Sequence, residues 1–295
     1  MKGVSATQSV MRVFTPFKEA KTEKKGKHFM MDALKTLKVG LIGFGSMAKA
    51  MADGWLYTKT LSGAQLGAYR RDQDQLASDC EARGMKAFAS LEALLAWADV
   101  CVVCVKPWAV QKVLEPVKDA LLGKVVLSVA AGVSFEDYES FLAPGTEHWT
   151  LLPNTPVAVG KGVLVMEETH NLTQEHTLWT NALCEALGLK VSSNAAEFKV
   201  AGLVAGCGPA YVAMMMEALA DGAVKNGLPR AKAYPIISAM VEGTARLQLE
   251  TKMHPGAMKD AVCSPGGSTI RGVDALETHG VRAGFIAAVD AIIKA

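Results

Sequence analysis

Lys38-Val-Gly-Leu-Ile-Gly-Phe-Gly-Ser-Met-Ala-Lys-Ala-Met-Ala52 decides the fold. A short apolar run leads into Gly43-x-Gly45-x-x-Ala48 and then into a stretch of strong helix formers, the strand–turn–helix order of a dinucleotide-binding βαβ unit. Gly43 permits the tight turn, Gly45 leaves the backbone bare where a pyrophosphate would lie, and Ala48 lets helix and strand approach closely. The phosphates would face the N–H groups and the positive dipole end of the helix. Phe44, Ser46 and Met47 complete the turn and are expected beside the cofactor.

Outward from this turn, apolar runs recur at Lys38 to Gly43, Leu66 to Tyr69, Val100 to Val105, Val125 to Ala130, Thr150 to Leu152 and Gly162 to Val165, with helical patterns between them. The alternation predicts an α/β fold, a doubly wound and mainly parallel sheet of Rossmann type, over residues 37–195. The second run ends Ala68-Tyr69-Arg70-Arg71-Asp72. An acidic residue at that point grips the adenosine ribose, whereas a cation accommodates a 2′-phosphate. Arg70 and Arg71 therefore favour NADPH, with Arg71 as the phosphate ligand, while Asp72 leaves NADH use open.

Beyond about Ala195 the strand-like runs stop. Phe198 to Gly227 and Ala231 to Thr251 are apolar on nearly all faces, which predicts an all-α domain over residues 196–295 whose helices are buried on more than one side. With so few residues in this half, some of that surface is expected to be covered by a second subunit, the alternative being burial within one compact helical domain against the α/β half. Residues 1–36 are polar and Lys-rich, and they lack the apolar core of a secretory signal. Glu19, Glu23 and the scarcity of arginine argue against a transit peptide, and Met30-Met31 offers an alternative start, so this segment is expected to be a disordered leader. No uninterrupted apolar run approaches the roughly 20 residues of a membrane span, so no membrane partner is expected.

Composition narrows the partners. Half of the 295 residues are hydrophobic and the formal net charge is only +2, which leaves no basic footprint for nucleic acid and points to a small-molecule substrate. Six cysteines, at 80, 101, 104, 184, 207 and 263, form no dense framework and suit reduced thiols in a cytoplasmic protein. Cys101 and Cys104 form a C-x-x-C, yet they lie three apart in a β-branched run, so their sulfurs should diverge. The six histidines show no ligand spacing, and no metal is expected.

The second half identifies a family. Ala205-Gly-Cys-Gly-Pro-Ala-Tyr211 with Met216-Glu-Ala-Leu-Ala-Asp-Gly-Ala-Val-Lys-Asn-Gly-Leu-Pro-Arg230, and His254-Pro-Gly-Ala-Met-Lys-Asp-Ala-Val-Cys-Ser-Pro-Gly-Gly-Ser-Thr-Ile270, resemble segments of pyrroline-5-carboxylate reductases. Val105-Lys-Pro107, Ala130-Ala-Gly132 and Leu152-Pro-Asn-Thr-Pro156 resemble that family's upstream motifs in the same order. The departures, at Ser90, Leu152, Ala205, Cys207 and Ser268, are small and leave Ser90 and Cys207 without a role.

The resemblance implies hydride transfer from NADPH, or NADH, to the cyclic imine 1-pyrroline-5-carboxylate, giving proline. It implies a substrate loop at Ser264, Gly266, Gly267, Ser268 and Thr269, with Thr269 hydrogen-bonding the ring nitrogen as a possible proton donor and a water relay as the alternative source. Val105, Lys106, Pro107, Ala131, Gly132 and Asn154 would line the cofactor. A homodimer through the helical half, assembled further into a decamer, is also implied. Two other readings remain at this point: a β-hydroxyacid dehydrogenase, which would need a base such as a helix-borne lysine, and a non-catalytic NADPH-binding regulator.

Overall fold

Side chains that alternate along the apolar runs fall on opposite faces of one sheet, and this sets the layers of the first half. The computed structural model describes residues 34–294, so the expected leader lies outside the described residues except for its last three. Leu34 and Leu37 are already buried in the core, and Gln65 Nε2 donates to both of their carbonyls.

Strand β1 (Val39–Ile42) leads to helix α1 (Ser46–Tyr57), then β2 (Leu66–Tyr69), α2 (Gln73–Glu81), β3 (Lys86–Ala87), α3 (Leu91–Trp97) and β4 (Val100–Val103). The chain continues through α4 (Val110–Leu114), β5 (Val125–Ser128), α5 (Phe135–Phe141), β6 (Glu147–Pro153), β7 (Gly162–His170), α6 (Gln174–Glu185) and β8 (Gly188–Ser193). The sheet order is β3-β2-β1-β4-β5-β6-β7-β8. The first six strands run parallel, β7 pairs antiparallel with β6, and β8 is parallel to β7. The α/β class expected from the sequence is thus the one observed. Two strands, β3 and β8, escaped the sequence reading because they lie at the sheet edges and carry polar or exposed residues rather than an apolar run.

Each face of the sheet has its own core. Leu41, Met51, Trp55, Leu76, Val102 and Leu183 fill one, and Ile42, Leu94, Val103, Val126 and Tyr138 fill the other. Cys101 belongs to the second core and Cys104 packs against the first, so the C-x-x-C sulfurs do diverge. Burial pushes the Cys101 thiol up to about 12, which keeps it protonated and inert.

The remaining helices are α7 (Ala195–Lys225), α8 (Arg230–Thr251), α9 (Pro255–Ala261), α10 (Ser268–Thr278) and α11 (Val281–Lys294). By its internal contacts the chain divides into two compact units after Pro209, inside α7. Among the described residues of the helical unit the buried cluster is small, Ala220, Ala233 and Ile237. Met214, Ile236, Met240, Leu249, Phe285 and Ile286 stand exposed, a large apolar surface for a single chain. Among the described residues α7 is long and apolar enough to cross a membrane by length and composition alone, a property that the core helix of a soluble protein shares. The helix continues through Gly206-Cys-Gly-Pro209, as the unbroken stretch Phe198 to Gly227 led one to expect.

Candidate cofactor and substrate sites

Parallel strands deliver their following loops to one edge of the sheet, and the candidate cofactor residues gather there. Gly43 leaves β1 with φ +87°, and a Cβ on it would lie 2.8 Å from Val105 Cγ1 and 3.1 Å from the Cys104 carbonyl carbon. Only glycine meets both demands. Gly43 N donates to Tyr69 O at 2.9 Å and Cys104 N to Ile42 O at 2.8 Å, so the loops after β1, β2 and β4 are stitched together.

Gly45 is the N-cap of α1, exposed, and a Cβ there would meet nothing within 4 Å. No side chain caps α1, and its first turn holds no acidic residue. The N–H groups that every helix start leaves unsatisfied are therefore open above Gly45 and Ser46, which fits a pyrophosphate. Phe44 and Ala48 are buried beneath, while Met47 is half-buried.

The two arginines after β2 differ in how they are held. Arg70 is half-buried: its guanidinium donates to Phe44 O at 3.4 Å and lies 3.5 Å from Asp72 and 3.8 Å from Asp79. Lys49 Nζ lies 2.6 Å from Asp79 Oδ2 and holds that carboxyl below the usual carboxylate range, so Asp79 stays charged and anchors Arg70 over the glycine turn. Arg71 is exposed. Asp72 caps α2 by accepting from Gln75 N at 3.1 Å, which diverts it from the ribose-gripping role considered for it.

After β4, Val105 packs on the turn, Lys106 is exposed and Pro107 opens a short 3₁₀ segment. Trp108 follows at 81% exposure, at a place the motif reading passed over. After β5, Ala131 and Gly132 are exposed, the latter at φ +81°. This loop has a buried support that sequence alone did not reveal: Tyr138 OH donates to Ser128 Oγ at 2.5 Å, and Ala130 N donates to the same oxygen at 3.2 Å. Burial pushes the Tyr138 phenol up to about 12, so it remains a donor. After β6, Asn154 is 7% exposed, its Nδ2 donating to Ala205 O at 3.0 Å and its Oδ1 accepting from Val163 N at 2.8 Å.

The serine–glycine loop belongs to the helical unit. Gly267 N donates to Ser264 O at 3.0 Å and Gly266 sits at φ +67°, so Ser264-Pro-Gly-Gly267 is a type II turn with proline and glycine in the positions that turn requires. Gly267 is the N-cap of α10 and makes no side-chain cap hydrogen bond, the Ser264 hydroxyl stands close beside it, and the first turn has no acidic residue. Ser264, Ser268 and Thr269 are exposed around it. Open N–H groups flanked by hydroxyls can hold a carboxylate. Among the described residues no group of His, Cys, Asp and Glu is placed to hold a metal ion.

Two family models match the chain: one described as NADP oxidoreductase coenzyme F420-dependent over residues 38–132, and one described as pyrroline-5-carboxylate reductase dimerisation over residues 195–295. A pyrroline-5-carboxylate reductase of Treponema pallidum is 39% identical over 262 residues, covering 88% of this chain and 99% of the relative. That of Escherichia coli is 36% identical over 254 residues, covering 85% and 94%. Among solved structures, a Plasmodium falciparum pyrroline carboxylate reductase with NADP bound matches with a TM-score of 0.78 at 25% identity, covering 88% of this chain and 97% of that one.

Proposed function

The chain belongs to the pyrroline-5-carboxylate reductase family, and from that premise we propose how its residues carry the family's reaction. It reduces the cyclic imine 1-pyrroline-5-carboxylate to proline, the last step of proline biosynthesis, at the expense of a reduced nicotinamide dinucleotide phosphate. Hydride adds to the imine carbon, the electrons of the C=N bond move to nitrogen, and nitrogen ends protonated. The bound cofactor supplies the hydride, and the protein supplies binding, orientation and electrostatics.

The open N–H groups above Gly45 and Ser46 would hold the cofactor's pyrophosphate, with Gly43, Phe44, Met47 and Ala48 shaping the turn beneath. Arg71 would meet the 2′-phosphate, and Arg70 acts mainly by bracing the turn through the Phe44 carbonyl. Val105, Lys106, Pro107, Ala131 and Gly132 line the same edge. Asn154, whose amide is engaged with two backbone groups, serves that edge through the backbone it holds.

Ser264, Gly266, Gly267 and Ser268 hold the substrate carboxylate at the start of α10, and the Thr269 hydroxyl hydrogen-bonds the ring nitrogen. A hydroxyl is a weak acid, so the ring nitrogen enters already protonated or receives its proton through a water relay. An iminium is the better hydride acceptor, which removes the need for a strong acid in the loop. The apolar faces of α7, α8 and α11 are the homodimer interface rather than a membrane surface, with dimers assembling into a decamer in the cytoplasm. No nucleic acid takes part.

The observation that carries this reading is an uncapped, unacidified helix start in each unit, one behind the glycine turn and one behind the serine–glycine turn. The test is the absorbance of the reduced nicotinamide, which should fall only when the cyclic imine is added. Tight NADPH binding with no turnover of imine would favour a regulator instead, and oxidation of hydroxyacids with the oxidised cofactor would favour a β-hydroxyacid dehydrogenase.

A further inference from the structure

Pro209 lies inside α7 with a full turn of helix on either side. A regular helix bonds N–H(i) to O=C(i−4), so residue 209 should serve the carbonyl of Ala205, and proline has no N–H to give. That carbonyl is not left orphaned: Asn154 Nδ2 donates to Ala205 O at 3.0 Å. The orientation of the Asn154 amide is dictated, because its Oδ1 accepts from Val163 N at 2.8 Å and its own N–H donates to Val163 O at 3.2 Å. With the oxygen fixed toward β7, the amide nitrogen must face α7.

The neighbourhood adds shape to this. Asn154 directly follows β6, whose end lies on the edge that carries the glycine turn, Lys106 and Gly132. One turn before Ala205, a Cβ on Gly202 would fall 2.3 Å from Leu152 Cδ1, so α7 is seated tightly on the end of β6. Directly after Ala205, Gly206 and Gly208 carry no side chain, and a Cβ on either would meet nothing within 4 Å. The helix therefore presents bare backbone just past the point where Asn154 fastens it.

We propose that Asn154 is a positioning residue for hydride transfer: it gives Ala205 the hydrogen bond that Pro209 withholds, and so fixes the Gly206-Cys207-Gly208 backbone at the cofactor edge. Proline at 209 is what makes the carbonyl available, so the two residues work as a pair. The kinetic half of this proposal rests on the imine-reductase reading, whereas the bond itself is tested by unfolding, which needs no substrate.

The experiment compares the wild-type protein with Asn154→Asp, Pro209→Ala and the double variant. Aspartate keeps an acceptor for Val163 N–H, removes the donor to Ala205 and turns a carboxylate oxygen toward that carbonyl. N154D should lower kcat for the imine on the order of tenfold, as expected for one lost hydrogen bond with a carboxylate left facing a carbonyl, while NADPH affinity by fluorescence titration changes by less than about twofold. P209A restores a helical N–H for Ala205, so N154D should lower the thermal midpoint much less when combined with P209A than when introduced into the wild-type chain. Failure of N154D to fold, with folding restored by P209A, would support the pairing equally. Equal losses in both backgrounds, or misfolding in both, would overturn the bond. An unchanged kcat beside a lowered midpoint, or a loss that falls on NADPH affinity instead, would overturn the positioning role.

Discussion

Replacing Arg71 by alanine should convert an NADPH-preferring enzyme into an almost indifferent one. Arg71 is exposed at the end of β2, whereas Arg70 is tied to Phe44 O, Asp72 and Asp79. A hydrogen-bonded charge pair with a phosphate contributes about 1.5–3 kcal/mol, and exposure at this rim reduces that to the lower end. Since about 1.4 kcal/mol is tenfold in affinity, R71A should raise KM for NADPH roughly tenfold and leave KM for NADH within about twofold. Raising the ionic strength should shrink the wild-type preference and leave the variant's ratio flat. Arg70→Ala should behave differently, because the lost bond braces the glycine turn that both cofactors use: both KM values should rise together. The assay is initial rate against each reduced cofactor at saturating imine. An R71A that loses both cofactors equally or neither, or an R70A that loses NADPH alone, would refute the division of labour between the arginines.

Gly43→Ala should cost about 1–3 kcal/mol of stability for the left-handed backbone alone, with further loss from the overlap with Val105, read as a lowered thermal midpoint and weakened NADPH titration. Gly266→Ala strains the type II turn at φ +67° and should raise KM for the imine several-fold, while Thr269→Ala should lower turnover; in neither should NADPH affinity move by more than about twofold in a direct titration. His148 stacks on Phe135, donates Nε2–H to Glu139 at 2.7 Å and buries an unpartnered Nδ1. Burial holds its pKa below the ordinary 6.5, so its contribution to stability is present above that pH and is lost as pH falls toward the folded-state value. A thermal-unfolding series from neutral pH down to about pH 5 should show this decline, and His148→Gln should flatten it.

Much of the molecule was readable before any coordinates. The glycine spacing at Gly43 and Gly45 named its own strand and helix, because a tight turn and a bare helix start each demand glycine. Strands β1, β2, β4 and β5 announced themselves as largely buried apolar runs, while β3 and β8 stayed silent at the edges where burial imposes no pattern. The supports of the site were the least readable. Tyr138 to Ser128 and Lys49 to Asp79 join residues distant in sequence or facing each other only in three dimensions, and nothing in local periodicity marks them. The role of Asn154 was half visible: proline on either side marked a stiff loop, but its partner Ala205 lies 51 residues away. In α7 the apolar stretch Phe198 to Gly227 marked one long helix, and the helix does run through its glycines and Pro209.

The central claim is that this protein spends a reduced nicotinamide cofactor on a cyclic imine. Initial rates on 1-pyrroline-5-carboxylate with each reduced cofactor in turn test it most directly. The account predicts imine-dependent oxidation of both, with the higher kcat/KM for NADPH. No imine-dependent oxidation of either cofactor by the folded, NADPH-binding protein would contradict it.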